Sequence, residues 1–280
     1  MRKHTTLFLT LLFAATAAFG QVRSPRPSPK ASLMQSVGLT DITINYNRPG
    51  VKGRPIWGAL VPYDKVWRTG ANEATTIQFS DDVWIDGQKL TKGLYSLHTI
   101  PAAGDWTVIF NSVAEQWGSY SYTEAKDALR VKVTPQTAEH REWMTFEIPE
   151  MTTDTAKIVL RWEKIAVPFT VDTKSTERTM TAFRNALNPQ PDWRTPYMAA
   201  DFAFNNKGAA TDAEMTAWLD QSLKTNQNIA NLWLRARIAE RAGNRAEAIR
   251  LGEQAAAAAT AQQADFKAEV TRTVEGWKKK

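Results

Sequence analysis

The sequence predicts an antiparallel β domain of the sandwich or jelly-roll kind over residues 31–173, followed by an antiparallel helical-repeat domain over residues 174–280. Three observations support this. Apolar residues of the first part alternate with polar ones in short segments, and turn residues lie between those segments. No helix-period segment separates them, which argues against βαβ units. In the second part, helix-capping and helix-stop signals recur instead.

The first twenty residues predict a secretory signal peptide. Arg2 and Lys3 precede an apolar run over 7–19, and Ala18-Phe19-Gly20 supplies small residues at a cleavage site. We therefore expect the mature chain to begin near Gln21 and to lie in the periplasm or outside a Gram-negative cell. No later apolar run is long enough to cross a membrane.

The amino-acid composition excludes several kinds of site and partner. The sequence contains no Cys, which excludes disulfides, thiol catalysis and thiolate metal sites. Residues 21–173 hold 17 basic and 17 acidic side chains, whereas residues 174–280 hold 16 basic and 12 acidic ones. Since three of the positive charges belong to the terminal lysines, we expect a solvated surface and no nucleic-acid partner.

The strand region opens with a lead-in over residues 21–30, whose three prolines favour an extended chain. Ile42, Ile44 and Tyr46 then show the two-residue period of a half-buried strand. Asp86-Gly87 is typical of a tight turn between strands. Similar segments follow up to Val171, and they predict about eight to ten strands. Seven of the eleven Trp lie in this region and can build an aromatic core.

The helical region predicts six helices, at about 175–187, 196–206, 212–224, 228–242, 245–259 and 262–278. Thr211 and Glu214 have the spacing of a capping box. Thr195 before Pro196 suggests a helix start.

Small residues within 228–259 predict that two antiparallel helices approach closely. They include Ala236, Ala248 and Ala255. This segment resembles a degenerate tetratricopeptide repeat, a unit that must stack on its neighbours to bury its apolar face. We expect such a surface to contact a protein partner.

The segment from Arg48 to Thr76 separates two predicted strands and has no strand or helix period. It is rich in Gly and Pro, yet it contains two Trp and three Arg. A long loop with its own apolar side chains is typically packed and often functional. We call residues 48–76 the central loop.

Candidate ligand-binding residues all lie in the central loop, where aromatic faces, cations, an amide and a carboxylate suit a glycan or another small polar ligand. They are Arg48, Arg54, Trp57, Trp67, Arg68, Asn72 and Glu73. A structural interpretation stands beside this one. In it, Arg68 or Arg54 pairs with Glu73 or Asp64, and the Trp side chains fill the core.

The sequence assigns no catalytic residue beyond the weak candidate Glu73, which with a second carboxylate could hydrolyse glycosides. His98 shares the parity of apolar strand positions, and His140 lies among charged residues, so neither predicts a metal ligand. Phosphate-loop, dinucleotide-binding and nucleophile-elbow motifs are absent, and no cofactor is expected.

Several motifs occur in the same order as in a known bacterial family. They are Ser28-Pro29-Lys30-Ala31, Gly38-Leu39-Thr40-Asp41, Arg48-Pro49, Lys52-Gly53-Arg54, Trp57-Gly58, Leu60-Val61-Pro62, Trp67-Arg68-Thr69-Gly70-Ala71-Asn72-Glu73-Ala74-Thr75 and Gly93-Leu94-Tyr95-Ser96. Over residues 25 to 170 the chain resembles the family called domain of unknown function 2911. The resemblance implies an exported protein, in some members with a helical-repeat tail, and it implies no reaction.

The sequence therefore predicts a non-catalytic exported binding module. Its β domain would carry the ligand site on the central loop, and its helices would contact a partner. The alternative is a periplasmic carbohydrate-active hydrolase that uses Glu73.

Overall fold

The structure is a computed structural model that describes residues 24–187 and 192–279. The predicted signal peptide lies outside the described residues, as do the first three residues of the lead-in. The lead-in is described from Ser24 onward.

Ten strands form two antiparallel sheets within the described residues. The six-stranded sheet has the order β1-β2-β3-β6-β7-β8, made of Lys30–Val37, Thr40–Asn47, Thr76–Phe79, Gly93–Ile100, Trp106–Asn111 and Asp127–Val133. The four-stranded sheet has the order β5-β4-β10-β9, made of Gln88–Leu90, Val83–Ile85, Thr155–Asp172 and Gln136–Met151. The predicted β domain is confirmed.

Both sheets bury one face in a common core. Ile42 and Ile44 of β2 are essentially inaccessible, and so is Ile158 of β10 in the other sheet. Asp41 and Asn45, which flank these two isoleucines in β2, are exposed on the opposite face of the strand. Alternation of this kind fixes the register, because a shift by one residue would place the polar set in the core.

The remaining described residues form six α-helices, which confirms the prediction of a helical region. They are α1 (Ser175–Ala186), α2 (Arg194–Asn205), α3 (Asp212–Thr225), α4 (Ile229–Arg241), α5 (Arg245–Ala257) and α6 (Ala264–Lys278). No helix among the described residues is long and apolar enough to cross a membrane.

The predicted capping box at the start of α3 is present. The Thr211 hydroxyl accepts a hydrogen bond from the Glu214 amide, and the Glu214 carboxylate accepts one from the Thr211 amide. The predicted start of α2 is wrong by two residues, because the helix begins at Arg194. Pro196 therefore lies inside the first turn, where its missing N–H has no intrahelical partner to lose.

The helical region is tied to the β domain at its first residues. The Ser175 hydroxyl lies 2.6 Å from the Thr173 hydroxyl and accepts a hydrogen bond from the Leu39 amide at 3.0 Å. Arg178 of α1 forms an ion pair with Asp81. These contacts connect α1 to the turns after β1 and β3.

Close packing in the helical region depends on small residues. Ala236 of α4 and both Ala248 and Ala255 of α5 are fully buried. Gly252 of α5 lies against α6, because a Cβ added there would come within 2.4 Å of a Val274 methyl group. The tetratricopeptide-like assignment of this packing stays a prediction.

Two helical glycines provide a matched test of this packing. We expect Gly252→Ala to lower the free energy of unfolding by about 1–3 kcal/mol, because the new methyl group meets the stiff Val274 side chain. Gly276 of α6 has nothing near its Cβ position, so Gly276→Ala is expected to raise stability by up to about 1 kcal/mol through helix propensity. Urea unfolding of both variants measures the difference. Equal shifts in the same direction would contradict the packing.

Candidate functional site

Two Trp side chains anchor the central loop between the sheets. The Trp57 ring contacts Trp106 of β7 and Trp162 of β10, with ring centroids 4.8 and 5.6 Å apart. Trp67 stacks on Trp162 at 5.8 Å and is 8% exposed. The four rings therefore join the loop to both sheets, and Trp67 belongs to the core.

Backbone contacts hold the second half of the loop against β6. Trp67 and Thr99 exchange both backbone hydrogen bonds, at 2.8 and 2.9 Å. The Thr75 hydroxyl donates to the Thr69 carbonyl at 2.6 Å. Thr69 and Asn72 have φ values of 53° and 57°, in the left-handed region that is uncommon for residues other than Gly. The loop thus has a defined conformation that orients its polar side chains.

The Glu73 carboxylate faces the lead-in and β2. Arg26 Nη1 donates to both of its oxygens, at 2.8 and 2.9 Å, and Asn47 Nδ2 donates at 3.1 Å. Lys30 Nζ lies 3.6 Å away. The hydrogen bond from Arg26 is the main cause that lowers the pKa of Glu73 to about 2. The proposed pairing of Glu73 with Arg68 or Arg54 is therefore wrong, because the lead-in supplies a closer cation.

Three other candidates make contacts with the backbone. Arg48 Nε donates to the Met144 carbonyl at 2.8 Å. Arg54 donates to the Val51 and Gly50 carbonyls, at 3.0 and 2.6 Å. Asn72 Nδ2 donates to the Ser28 carbonyl at 3.3 Å, which fixes the lead-in over the loop. These contacts stabilise the loop and its cover.

Arg68 differs from the other arginines of the loop. Its Nε atom is buried and has no hydrogen-bond partner among the described residues. Burial lowers the pKa of Arg68 from its usual value, because a charged group loses hydration.

The Arg68 side chain lines a depression of about 180 Å³, which we call the Arg68 depression. Arg54 also borders it, and its apolar wall includes Trp67, Trp162 and Val61. No acidic side chain is among its lining residues. The depression therefore combines positive charge with aromatic surface and lacks a carboxylate that would neutralise it.

A second, wider depression of about 470 Å³ has Glu73 among its lining residues. Its lining includes Lys30, Asn45 and Asn47. The seven candidates are thus divided between two places. Arg54, Trp67 and Arg68 line the Arg68 depression, and Glu73 lines the wider one. The other three candidates, Arg48, Trp57 and Asn72, make contacts that stabilise the loop.

His98 is buried and its ring is hydrogen-bonded. Its Nε2 and Nδ1 atoms lie 3.2 Å from the hydroxyls of Ser96 and Ser119, and desolvation lowers its pKa to about 4. His140 lies on β9, 3.6 Å from Glu142. Within residues 24–187 and 192–279, no three His, Asp or Glu side chains are grouped as a metal site would require.

Sequence reasoning missed Arg26, Lys30 and Trp162 as neighbours of the loop. Arg26 and Lys30 lie in a proline-rich segment, and Trp162 lies on a strand far along the chain. The only local signal was the proline content of the lead-in, which favours an extended chain. Pairing between distant segments leaves no periodic trace in one sequence.

The fold and the site define a class of protein: a two-sheet β domain with a packed polar-aromatic loop anchored between its sheets and a helical region after it. Residues 28–171 match the family described as protein of unknown function, DUF2911, and the chain belongs to that family. No curated protein and no solved structure matches the chain.

The Glu73 ion pair predicts a pH dependence of stability. Because folding lowers the pKa of Glu73, its contribution is fully present above the unfolded-state value of 4.5 and is lost as the pH falls toward about 2. We expect wild type to unfold at higher urea concentration than Glu73→Gln at pH 7, and the gap to close between pH 4.5 and pH 2. A gap that stays constant down to pH 2 would contradict the ion pair.

Proposed function

We propose that this protein is an exported, non-catalytic binding module that holds a small polar ligand in the Arg68 depression. The observation that carries the proposal is Arg68 itself, a partly buried cation whose Nε atom has no partner among the described residues. Buried charged groups in folded proteins are ordinarily paired or hydrogen-bonded. A bound ligand would supply the missing partner.

The surroundings of Arg68 suit binding. The apolar wall of the depression includes the exposed Leu60 beside the largely buried Trp67 and Trp162, and the Arg54 guanidinium adds positive charge at its border. Binding sites typically combine apolar walls with a few fixed polar groups. Since the tryptophan contacts hold the loop in place, little ordering would be needed when the ligand binds.

The hydrolase alternative draws less support from Glu73. A general acid needs a raised pKa, whereas Arg26 holds the pKa of Glu73 at about 2. The polar neighbours of its carboxylate among the described residues are two cations and an amide. This environment suits an ion pair better than proton transfer.

The helical region adds a proposed contact with a protein partner. Helices α2, α4 and α6 together line a depression of about 440 Å³, in which aromatic Tyr197, Trp233 and Phe266 alternate with charged side chains. Stacked helices commonly present such surfaces to partners. The partner surface remains a secondary part of the proposal.

Export is the second part of the proposal, and it is supported by the apolar run before Gln21. Expression of the full chain in a Gram-negative host, followed by fractionation and N-terminal sequencing, tests it. We expect periplasmic or secreted protein that begins at or near Gln21. Cytoplasmic protein that retains residues 1–20 would contradict export.

A ligand screen tests binding. We expect at least one compound from a library of glycans and small polar metabolites to raise the melting temperature of the wild type, because a ligand that binds only the folded state stabilises it. Arg68→Met should abolish the shift, and Arg250→Met on α5 should preserve it. A library without any stabilising compound, or a shift that survives Arg68→Met, would contradict the proposed site.

A further inference from the structure

Three of the four buried side-chain donors that lack a hydrogen-bond partner among the described residues lie at or beside the Arg68 depression, and the fourth, Arg161 Nε, belongs to a residue that lines a different depression. Within the described residues, Arg68 Nε, Trp57 Nε1 and Trp162 Nε1 are buried and make no hydrogen bond. Arg68 and Trp162 line the same depression, and the Trp57 ring lies 5.6 Å from that of Trp162. Each of these atoms can donate a hydrogen bond and none can accept one.

Buried donors without acceptors indicate that a ligand bound here would supply hydrogen-bond acceptors. Buried polar atoms are nearly always paired, and an orphan donor weakens the fold. A water molecule can accept such a hydrogen bond, but it leaves the guanidinium without a counter-charge. An anionic oxygen accepts several bonds and needs no acceptor in return.

The charge and the size of the depression favour a carboxylate over a phosphate as the bound anion. Arg54 already donates from Nε and Nη2 to backbone carbonyls, whereas the Nε atom of Arg68 has no hydrogen-bond partner among the described residues, so Arg68 is the arginine that we expect a ligand to engage. A planar carboxylate matches one guanidinium fork and carries a single charge, whereas phosphate carries nearly two at neutral pH. The volume of about 180 Å³, with Trp67 and Val61 in the wall, leaves room for a small apolar or ring-shaped body.

We infer that the Arg68 depression receives the carboxylate of a small organic acid, with the Arg68 guanidinium as hydrogen-bond donor and the apolar wall of the depression against the body of the ligand. This inference rests on the proposed function and specifies its ligand class. A neutral glycan is thereby excluded as the preferred ligand, because it would leave the Arg68 charge without a counter-ion.

Matched probes of equal size test the inference. Benzoate and benzamide share one ring and differ in charge, and inorganic phosphate supplies the other oxyanion. The indole N–H signals of the ¹⁵N-labelled protein report binding, with the Trp162 signal assigned through Trp162→Phe. We expect benzoate to shift the Trp162 signal, and we expect benzamide to bind at least about tenfold more weakly, as charge-assisted hydrogen bonds require.

Two variants control the titration. Arg68→Met should abolish the benzoate shift while the remaining spectrum shows a folded protein, and Arg250→Met on α5 should leave the titration unchanged. Equal affinity for benzoate and benzamide would overturn the carboxylate assignment and leave the binding site standing. A stronger response to phosphate would overturn it in favour of a phosphorylated ligand. The absence of any response, together with a ligand screen without a stabilising compound, would overturn the inference and the proposed function together.

Discussion

Contact between four tryptophan rings is the constraint on which the central loop depends. Trp57 and Trp67 come from the loop, Trp106 from one sheet and Trp162 from the other. Aromatic side chains bury large areas and pair in edge or stacked geometries, so a few rings can fix a long segment that has no regular structure. The loop consequently behaves as part of the core, and its polar side chains are held at the surface in defined places.

The lead-in contributes to this arrangement by supplying the cations that pair with Glu73. Arg26 and Lys30 neutralise Glu73, and Asn72 binds the lead-in backbone. Arg68 lines a separate depression that has no acidic side chain among its lining residues. An unpaired, partly buried charge destabilises a fold unless something binds it, and such local conflict is characteristic of functional sites. The proposed function and the proposed ligand class both follow from this separation of charges.

Much of the fold could be predicted from the sequence. Two-residue alternation in segments such as Ile42–Tyr46 identified strands, and the pair Thr211 and Glu214 identified the start of α3, because both signals are local. The start of α2 was misplaced because Thr195 can cap a helix but does not have to, and the chain becomes helical at Arg194.

The site was harder to predict than the fold. The sequence predicted which residue types the loop would offer a ligand, and this stays a prediction, but it did not predict their contacts. Local sequence shows that Arg68 and Glu73 are five positions apart, and it does not show that they line different depressions. Nor does it indicate that Glu73 forms an ion pair with Arg26, which lies 47 positions earlier in the sequence. Such long-range pairing depends on how the lead-in packs across the loop, which no periodic pattern records.

The claim that Arg68 has no structural partner is tested most directly by the free energy of unfolding of Arg68→Met in the absence of ligand. Arg130→Met is the matched comparison, because Arg130 donates to Asp127 and to the Tyr122 hydroxyl, each at 2.6 Å. Urea unfolding should show that Arg68→Met is at least as stable as the wild type, since the variant removes an unpaired charge, while Arg130→Met is less stable. A loss of more than about 2 kcal/mol in Arg68→Met would mean that its charge has a partner in the fold, and it would contradict the account.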